Sequence, residues 1–308
     1  MAIFKTTIMT AATLKTPTTT AMAMAINKTN TTTEISTWKR AGSALLLTLW
    51  IPLLVALFFV GKALRLPKTD KLILVFHRGV AGLFNLDITQ TGTLRQDRPT
   101  LYVSNHASYL DIFVLGSHLP GAFIAKSEVA GWPVFGKLAR LQNTLFFERQ
   151  TRRAGQQVAI MKAHLTHHSN LIFFPEGTST PGTHVATFRS SLFAAATDSD
   201  TYIQPITIAY SHYKNHRMEQ AERDNYAWYI PMPFLSHFLN GLGLGRAKVA
   251  LVCHEPVKIA DFSSRKACAV YCENVVRQGL LDALNTQEEV VPAHYLESVK
   301  RQASVTAR

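Results

Sequence analysis

An uncharged run from Ala41 to Gly61 constrains this chain more than any other feature: it passes through Leu45-Leu46-Leu47 and Leu57-Phe58-Phe59-Val60, with Lys39-Arg40 before it and Lys62, Arg65, Lys68 and Lys71 after it. At about 1.5 Å per residue, roughly twenty apolar residues in a helix match the hydrocarbon core of a bilayer. A buried core helix seldom stays uncharged over such a length with cations at both ends, so residues 41–66 are expected to form a membrane anchor. Pro52 can kink that helix. A second apolar patch, Ile73 to Phe76 and Val80 to Leu86 broken by His77 and Arg78, is suited to an interfacial position, which leaves both a spanning and a half-inserted helix open. Cations are denser after the run than before it, so the body that follows is expected on the cytoplasmic side of the inner membrane.

Residues 1–40 are rich in threonine, alanine and methionine, with Thr18-Thr19-Thr20 and Thr31-Thr32-Thr33 and no apolar period, and read as a disordered tail. From about residue 67 to 290, short apolar runs alternate with longer amphipathic ones. Strands are expected at 100–104, 123–125, 144–147, 171–174, 202–208 and 247–253, with helices at 110–119, 154–166, 188–196 and 264–285. Residues 291–308 read as a C-terminal tail. This alternation predicts one α/β domain: a mostly parallel mixed sheet flanked by helices, in which loops after strands carry the chemistry. The net charge of +12 allows an anionic partner, whether nucleic acid, a membrane surface or a phosphorylated substrate, and does not choose among them. The anchor favours the membrane and argues against nucleic acid. Three late cysteines, Cys253, Cys268 and Cys272, suit reduced thiols rather than a disulfide framework.

Two loops stand out. In His106-Ala107-Ser108-Tyr109-Leu110-Asp111 the histidine follows a strand and the carboxylate lies about one helical turn onward. A carboxylate so placed can accept one imidazole N–H and leave the other nitrogen as a general base, although a loop-capping role fits the same spacing. No G-x-S-x-G elbow exists in the chain, so the hydroxyl such a base would deprotonate belongs to a substrate. In Phe174-Pro175-Glu176-Gly177-Thr178 the proline stops a strand and the glycine permits a turn whose N–H groups can face an anion. Arg149 ends another strand, where its planar fork suits phosphate. Lys126 ends a third, where pairing with Glu128 serves as well as a site role. No metal-ligand spacing is evident.

Taken in order, Asn105 to Asp111, Phe146-Phe147-Glu148-Arg149, Phe174 to Thr178 and Ile203-Gln204-Pro205-Ile206 resemble the four blocks of the glycerolipid acyltransferase family, in particular the 1-acyl-glycerol-3-phosphate acyltransferases, over roughly residues 75–255. The resemblance implies a membrane enzyme that moves an acyl chain from acyl-CoA or acyl-carrier protein, a co-substrate rather than a cofactor, to the sn-2 hydroxyl of 1-acyl-glycerol-3-phosphate. It makes His106 the base and Asp111 its orienter, with Arg149, Glu176, Gly177 and Thr178 on the acceptor and Lys126 adding charge. Where the family often reads E-G-T-R-S, this chain has Ser179 after Thr178, and Arg189 from the next helix would supply the missing guanidinium. Within the family the segment also resembles acyltransferases acting on lyso-ornithine lipid, an amino-acid lipid without phosphate. Outside it, a non-catalytic tethered protein binding anionic lipid is the rival.

Overall fold

The computed structural model describes residues 35–67, 69–148, 154–166, 169–197, 200–230 and 232–306. Its strands are β1 (Leu86–Thr91), β2 (Thr100–Ser104), β3 (Ala122–Lys126), β4 (Leu145–Phe147), β5 (Leu171–Phe173), β6 (Tyr202–Tyr213), β7 (His216–Arg217) and β8 (Ala247–Cys253). Its helices are α1 (Thr37–Ala63), α2 (Lys71–Leu83), α3 (Leu110–Gly116), α4 (Phe135–Leu141), α5 (Ala154–Thr166), α6 (Gln220–Arg223), α7 (Phe234–Gly241), α8 (Arg265–Leu284) and α9 (Ala293–Thr306). The strands form one mixed sheet in the order β1-β8-β6-β2-β5-β3-β4, with β7 paired to β6. β6, β2, β5, β3 and β4 run parallel, whereas β8 opposes β6 and carries β1 parallel to itself. The carboxyl ends of the parallel strands therefore share one edge, where such sheets place their ligands.

Every residue of β2 is buried, because both faces of the sheet are covered. Leu101 and Val103 face Met161 and Leu165 of α5 and Cys268, Cys272 and Val276 of α8, while Tyr102 belongs to the opposite cluster with Phe84, Leu110 and Val114. All three cysteines are free and buried.

α1 buries a narrow stripe, Ser43, Leu47, Leu54 and Gly61, and exposes Leu45, Leu46, Leu49, Leu53, Leu57, Phe59 and Val60. The spacing of four and then seven residues keeps one face on the body along the whole helix. Its start is fixed where Arg40 donates to Asn240 Oδ1 in the last turn of α7 (3.2 Å) and Ser36 N–H donates to the Gly243 carbonyl just past it (3.0 Å). Further along, Trp50 lies against Gly79 of α2 and Gly61 against Thr69. The helix runs along the body rather than projecting from it. It is the one helix among the described residues long and apolar enough to cross a membrane.

Several expected elements differ. Residues 188–196 yield only a 3₁₀ turn, Leu192–Ala196. The backbone before it is irregular, with the N–H of Phe188 given to Glu273 Oε2 (2.8 Å) and that of Arg189 to the Pro175 carbonyl (3.0 Å). In the second apolar patch, which forms α2 and its exit, Val80 and Phe84 are buried, whereas Ile73 to Phe76 stay partly or fully exposed. β6 extends to Tyr213 because β8 and β7 pair with its second half. The C-terminal stretch expected as a tail carries α9, whose Tyr295 is buried against His184 and Tyr229. The tail expected over 1–40 lies outside the described residues up to residue 34.

Candidate active site

The exit of β2 is locked before it reaches His106: the buried Asn105 side chain exchanges two 2.8 Å bonds with the N–H and carbonyl of Ile208 on β6. The chain then turns into α3, and Asp111, in its first turn, points back. Asp111 Oδ2 accepts from His106 Nδ1 (2.9 Å) and from the N–H groups of Ala107 (2.7 Å) and Ser108 (2.9 Å). Its Oδ1 accepts from the Tyr210 hydroxyl (2.9 Å). The carboxylate is completely buried, and four donors meet its need for hydrogen bonds. With a carboxylate on Nδ1, the proton resides on that nitrogen and Nε2 presents a lone pair. The His106 ring stacks flat on Phe174 (centroids 3.9 Å apart, planes 15° apart), so its orientation is fixed from two sides. Its side chain is 21% exposed, enough to meet a substrate.

Glu176, assigned to the acceptor by resemblance, has both oxygens engaged by backbone: Oε1 takes the N–H of His106 (2.6 Å) and Oε2 that of Ala186 (2.8 Å). Burial pushes its carboxyl well above the usual range, and those two N–H donors oppose the rise. It ties the base loop to the segment 184–189. Gly177 has φ +70°, which disfavours any side chain, and a Cβ there would come within 3.3 Å of Arg189 Cζ and press on the guanidinium. Arg189 is exposed beside that turn, as is Thr178. Ser179 Oγ donates to the Trp228 carbonyl (2.5 Å), Trp228 N–H to the Ala107 carbonyl (2.8 Å) and Thr180 N–H to the His106 carbonyl (2.8 Å). The three loops are thus laced together around the histidine.

Lys126 ends β3 in register with Phe147 at the end of β4, on the same sheet edge but two strands from β2. Arg149 lies outside the described residues. The structure therefore brings His106, Asp111, Glu176, Gly177 and Arg189 together and sets Lys126 apart. Arg189 projects from an irregular strap rather than from a helix. Sequence reasoning missed Tyr210 and the Phe174 stack. Nothing local distinguishes Tyr210 from any buried strand tyrosine.

An acyltransferase family model, described as Acyltransferase, matches residues 85–209. The chain is 39% identical over 183 residues to a lyso-ornithine lipid O-acyltransferase of Rhodobacter capsulatus, covering 58% of this chain and 64% of that one. To the lyso-ornithine lipid O-acyltransferase of Brucella abortus it is 37% identical over 221 residues, 69% of this chain and 83% of the other. To a 1-acyl-sn-glycerol-3-phosphate acyltransferase of Neisseria meningitidis it is 31% identical over 168 residues, 51% and 65% of the two. The chain thus spans just under two thirds of the first and third of these relatives. Among solved structures, the 1-acyl-sn-glycerophosphate (LPA) acyltransferase PlsC of Thermotoga maritima shares the fold, with TM-score 0.57 and 24% identity over 82% of this chain and 97% of that one.

Proposed function

The chain belongs to the glycerolipid acyltransferase family, and we propose that within it the enzyme esterifies the hydroxyl of lyso-ornithine lipid with an acyl chain from acyl-CoA or acyl-carrier protein. The observation that carries this reading is Ser179: where the family often has arginine, this chain has a hydroxyl donated to the Trp228 carbonyl. That leaves the exposed Arg189 guanidinium beside Gly177, a single planar fork suited to one carboxylate. The names carried by the Rhodobacter and Brucella relatives point the same way. A second reading, the sn-2 hydroxyl of 1-acyl-glycerol-3-phosphate giving phosphatidic acid, draws on the Neisseria relative and would use Arg149 as well.

In this mechanism the acceptor hydroxyl gives its proton to His106 Nε2 as its oxygen attacks the thioester carbonyl. The tetrahedral oxyanion collapses, the thiolate leaves, and the imidazolium returns the proton to it. Asp111, held by Ala107, Ser108 and Tyr210, stabilises the imidazolium and fixes the ring. General-base help contributes about 10²- to 10⁴-fold. Holding two substrates in attack geometry contributes roughly 7–11 kcal/mol. Because α1 is fastened along the body with its leucine face outward, we place it half-inserted in the membrane, so that a lyso-lipid reaches the site without leaving its leaflet.

An acceptor panel tests the proposal by measuring thiol release from one acyl-CoA. Lyso-ornithine lipid should react faster than lysophosphatidic acid, and the reverse order would overturn the acceptor assignment. If His106→Ala releases thiol at the wild-type rate, the base mechanism itself is wrong.

A further inference from the structure

The strap from Thr183 to Arg189 belongs to neither the sheet nor a helix, and three carboxylates from three parts of the chain hold it. Glu289 Oε1 takes the N–H of Val185 (2.7 Å), Glu176 Oε2 that of Ala186 (2.8 Å) and Glu273 Oε2 that of Phe188 (2.8 Å). Arg277 of α8 joins two of them, bonding Glu273 Oε1 (2.8 Å) and Glu289 Oε1 (3.1 Å), and it also donates to the Val185 carbonyl (3.1 Å). Thr183 Oγ1 donates to the Val290 carbonyl (2.5 Å), and Tyr295 of α9 packs on His184 with ring centroids 5.1 Å apart. At its far end the strap sets the Arg189 guanidinium over Gly177, and through Glu176 it shares a carboxylate with the backbone of His106. The C-terminal stretch is therefore wired to the one guanidinium that the strap carries into the site.

We propose that Glu289 and Arg277 are positioning residues, which set where Arg189 meets the acceptor headgroup without touching substrate themselves. The inference rests on the reading of Arg189 as the headgroup-binding group. Its physical basis is that a charge-assisted bond depends on geometry: a strap released from Glu289 keeps its arginine but loses the place where that arginine is held.

The test is steady-state kinetics of the full chain with lyso-ornithine lipid and acyl-CoA varied in turn. Glu289→Ala and Arg277→Met should raise the acceptor KM about tenfold, leaving the donor KM unchanged and kcat within about twofold. Glu289→Gln keeps an acceptor for the Val185 N–H and should restore most of the loss. In an Arg189→Ala background, Glu289→Ala should add nothing to the acceptor KM. Equal loss of kcat with both KM values intact marks fewer folded molecules and overturns the positioning role. Arg189→Ala raising the acceptor KM while Glu289→Ala adds its full effect also overturns that role, and leaves the headgroup reading standing. An unchanged acceptor KM in Arg189→Ala alone overturns the headgroup reading and the positioning role with it.

Discussion

Replacing Asp111 by asparagine should slow this enzyme less than the same change does in a serine-protease triad, and the bonds around Oδ2 show why. That oxygen accepts from His106 Nδ1 and from two backbone N–H groups, while Oδ1 accepts only from Tyr210. A carboxamide has one acceptor oxygen and one donor NH₂. Placing the NH₂ toward Ala107 and Ser108 would leave two buried N–H groups without acceptors, about 1–3 kcal/mol each. The oxygen is therefore forced into the Oδ2 position, and the NH₂ faces the Tyr210 hydroxyl, which can accept. His106 then keeps its proton on Nδ1, so the tautomer survives, whereas in the triad its loss costs about 10⁴-fold. What goes is the negative charge beside the imidazolium, roughly 2–4 kcal/mol at the effective dielectric of such sites. Asp111→Asn should accordingly lose about 30- to 10³-fold in kcat and keep its melting temperature within a few degrees. Asp111→Ala, which orphans both N–H groups and the Tyr210 hydroxyl, should lose several kcal/mol of a typical stability of about 5–15. Thiol release from acyl-CoA and thermal unfolding measure both. If Asp111→Asn is as slow as His106→Ala, or melts as early as Asp111→Ala, the forced orientation is wrong.

Tyr210→Phe removes the donor to Asp111 Oδ1, a bond worth about 1 kcal/mol net, so kcat should fall roughly fivefold with acceptor KM unchanged, and an unaltered kcat would remove Tyr210 from the machinery. Gly177→Ala places a Cβ at φ +70° and 3.3 Å from Arg189 Cζ, so acceptor KM should rise together with a stability loss of about 1–2 kcal/mol, and wild-type kinetics would refute the crowding. Burial holds His77 and His237 near about 4, against 6.5 unfolded; for His77 a bond with Gln142 opposes the fall. A folded value below the unfolded one means that stability is complete above pH 6.5 and is lost as pH drops toward 4, by up to about 3 kcal/mol for each histidine. Denaturant midpoints should decline across that window and decline less in His77→Gln; parallel curves would show that His77 plays no part.

What could be read from the sequence was local. His106 and Asp111 lie within one turn of each other, and Ser264 capping Ala267 N–H and Asn285 in the left-handed conformation mark the ends of α8 almost where the residue pattern puts them. What could not be read depended on partners far along the chain. Glu176 looks like a substrate ligand in any one-dimensional reading. Only the fold delivers the His106 and Ala186 N–H groups to its two oxygens. The sequence predicts a helix over 188–196, yet Glu273, on a helix more than seventy residues later, takes the N–H of Phe188, and the strap is neither helix nor strand. α9 docks through Tyr295, packed on His184 and Tyr229, and through His294, bonded to the Tyr229 hydroxyl, partners that lie far away in the chain.

The same dependence on distant partners joins α1 to the chemistry. Leu47 of α1 shares a buried cluster with Phe84, Phe238 and Tyr109, and the Tyr109 hydroxyl bonds His237 Nδ1 at 2.9 Å. Tyr109 stands between His106 and Asp111 in the chain, and α7, which supplies Phe238 and His237, ends at the turn that Ser36 and Arg40 bind. Close-packed clusters transmit displacement because they have little free volume to absorb it. Leu47, on the buried stripe of α1, thus shares one packed cluster with Tyr109, in the loop that aims the base. This shared cluster makes α1 part of the support of the site. Substitutions along its buried stripe, Leu47 above all, should therefore reach kcat, while substitutions of the outward leucines should reach only membrane binding.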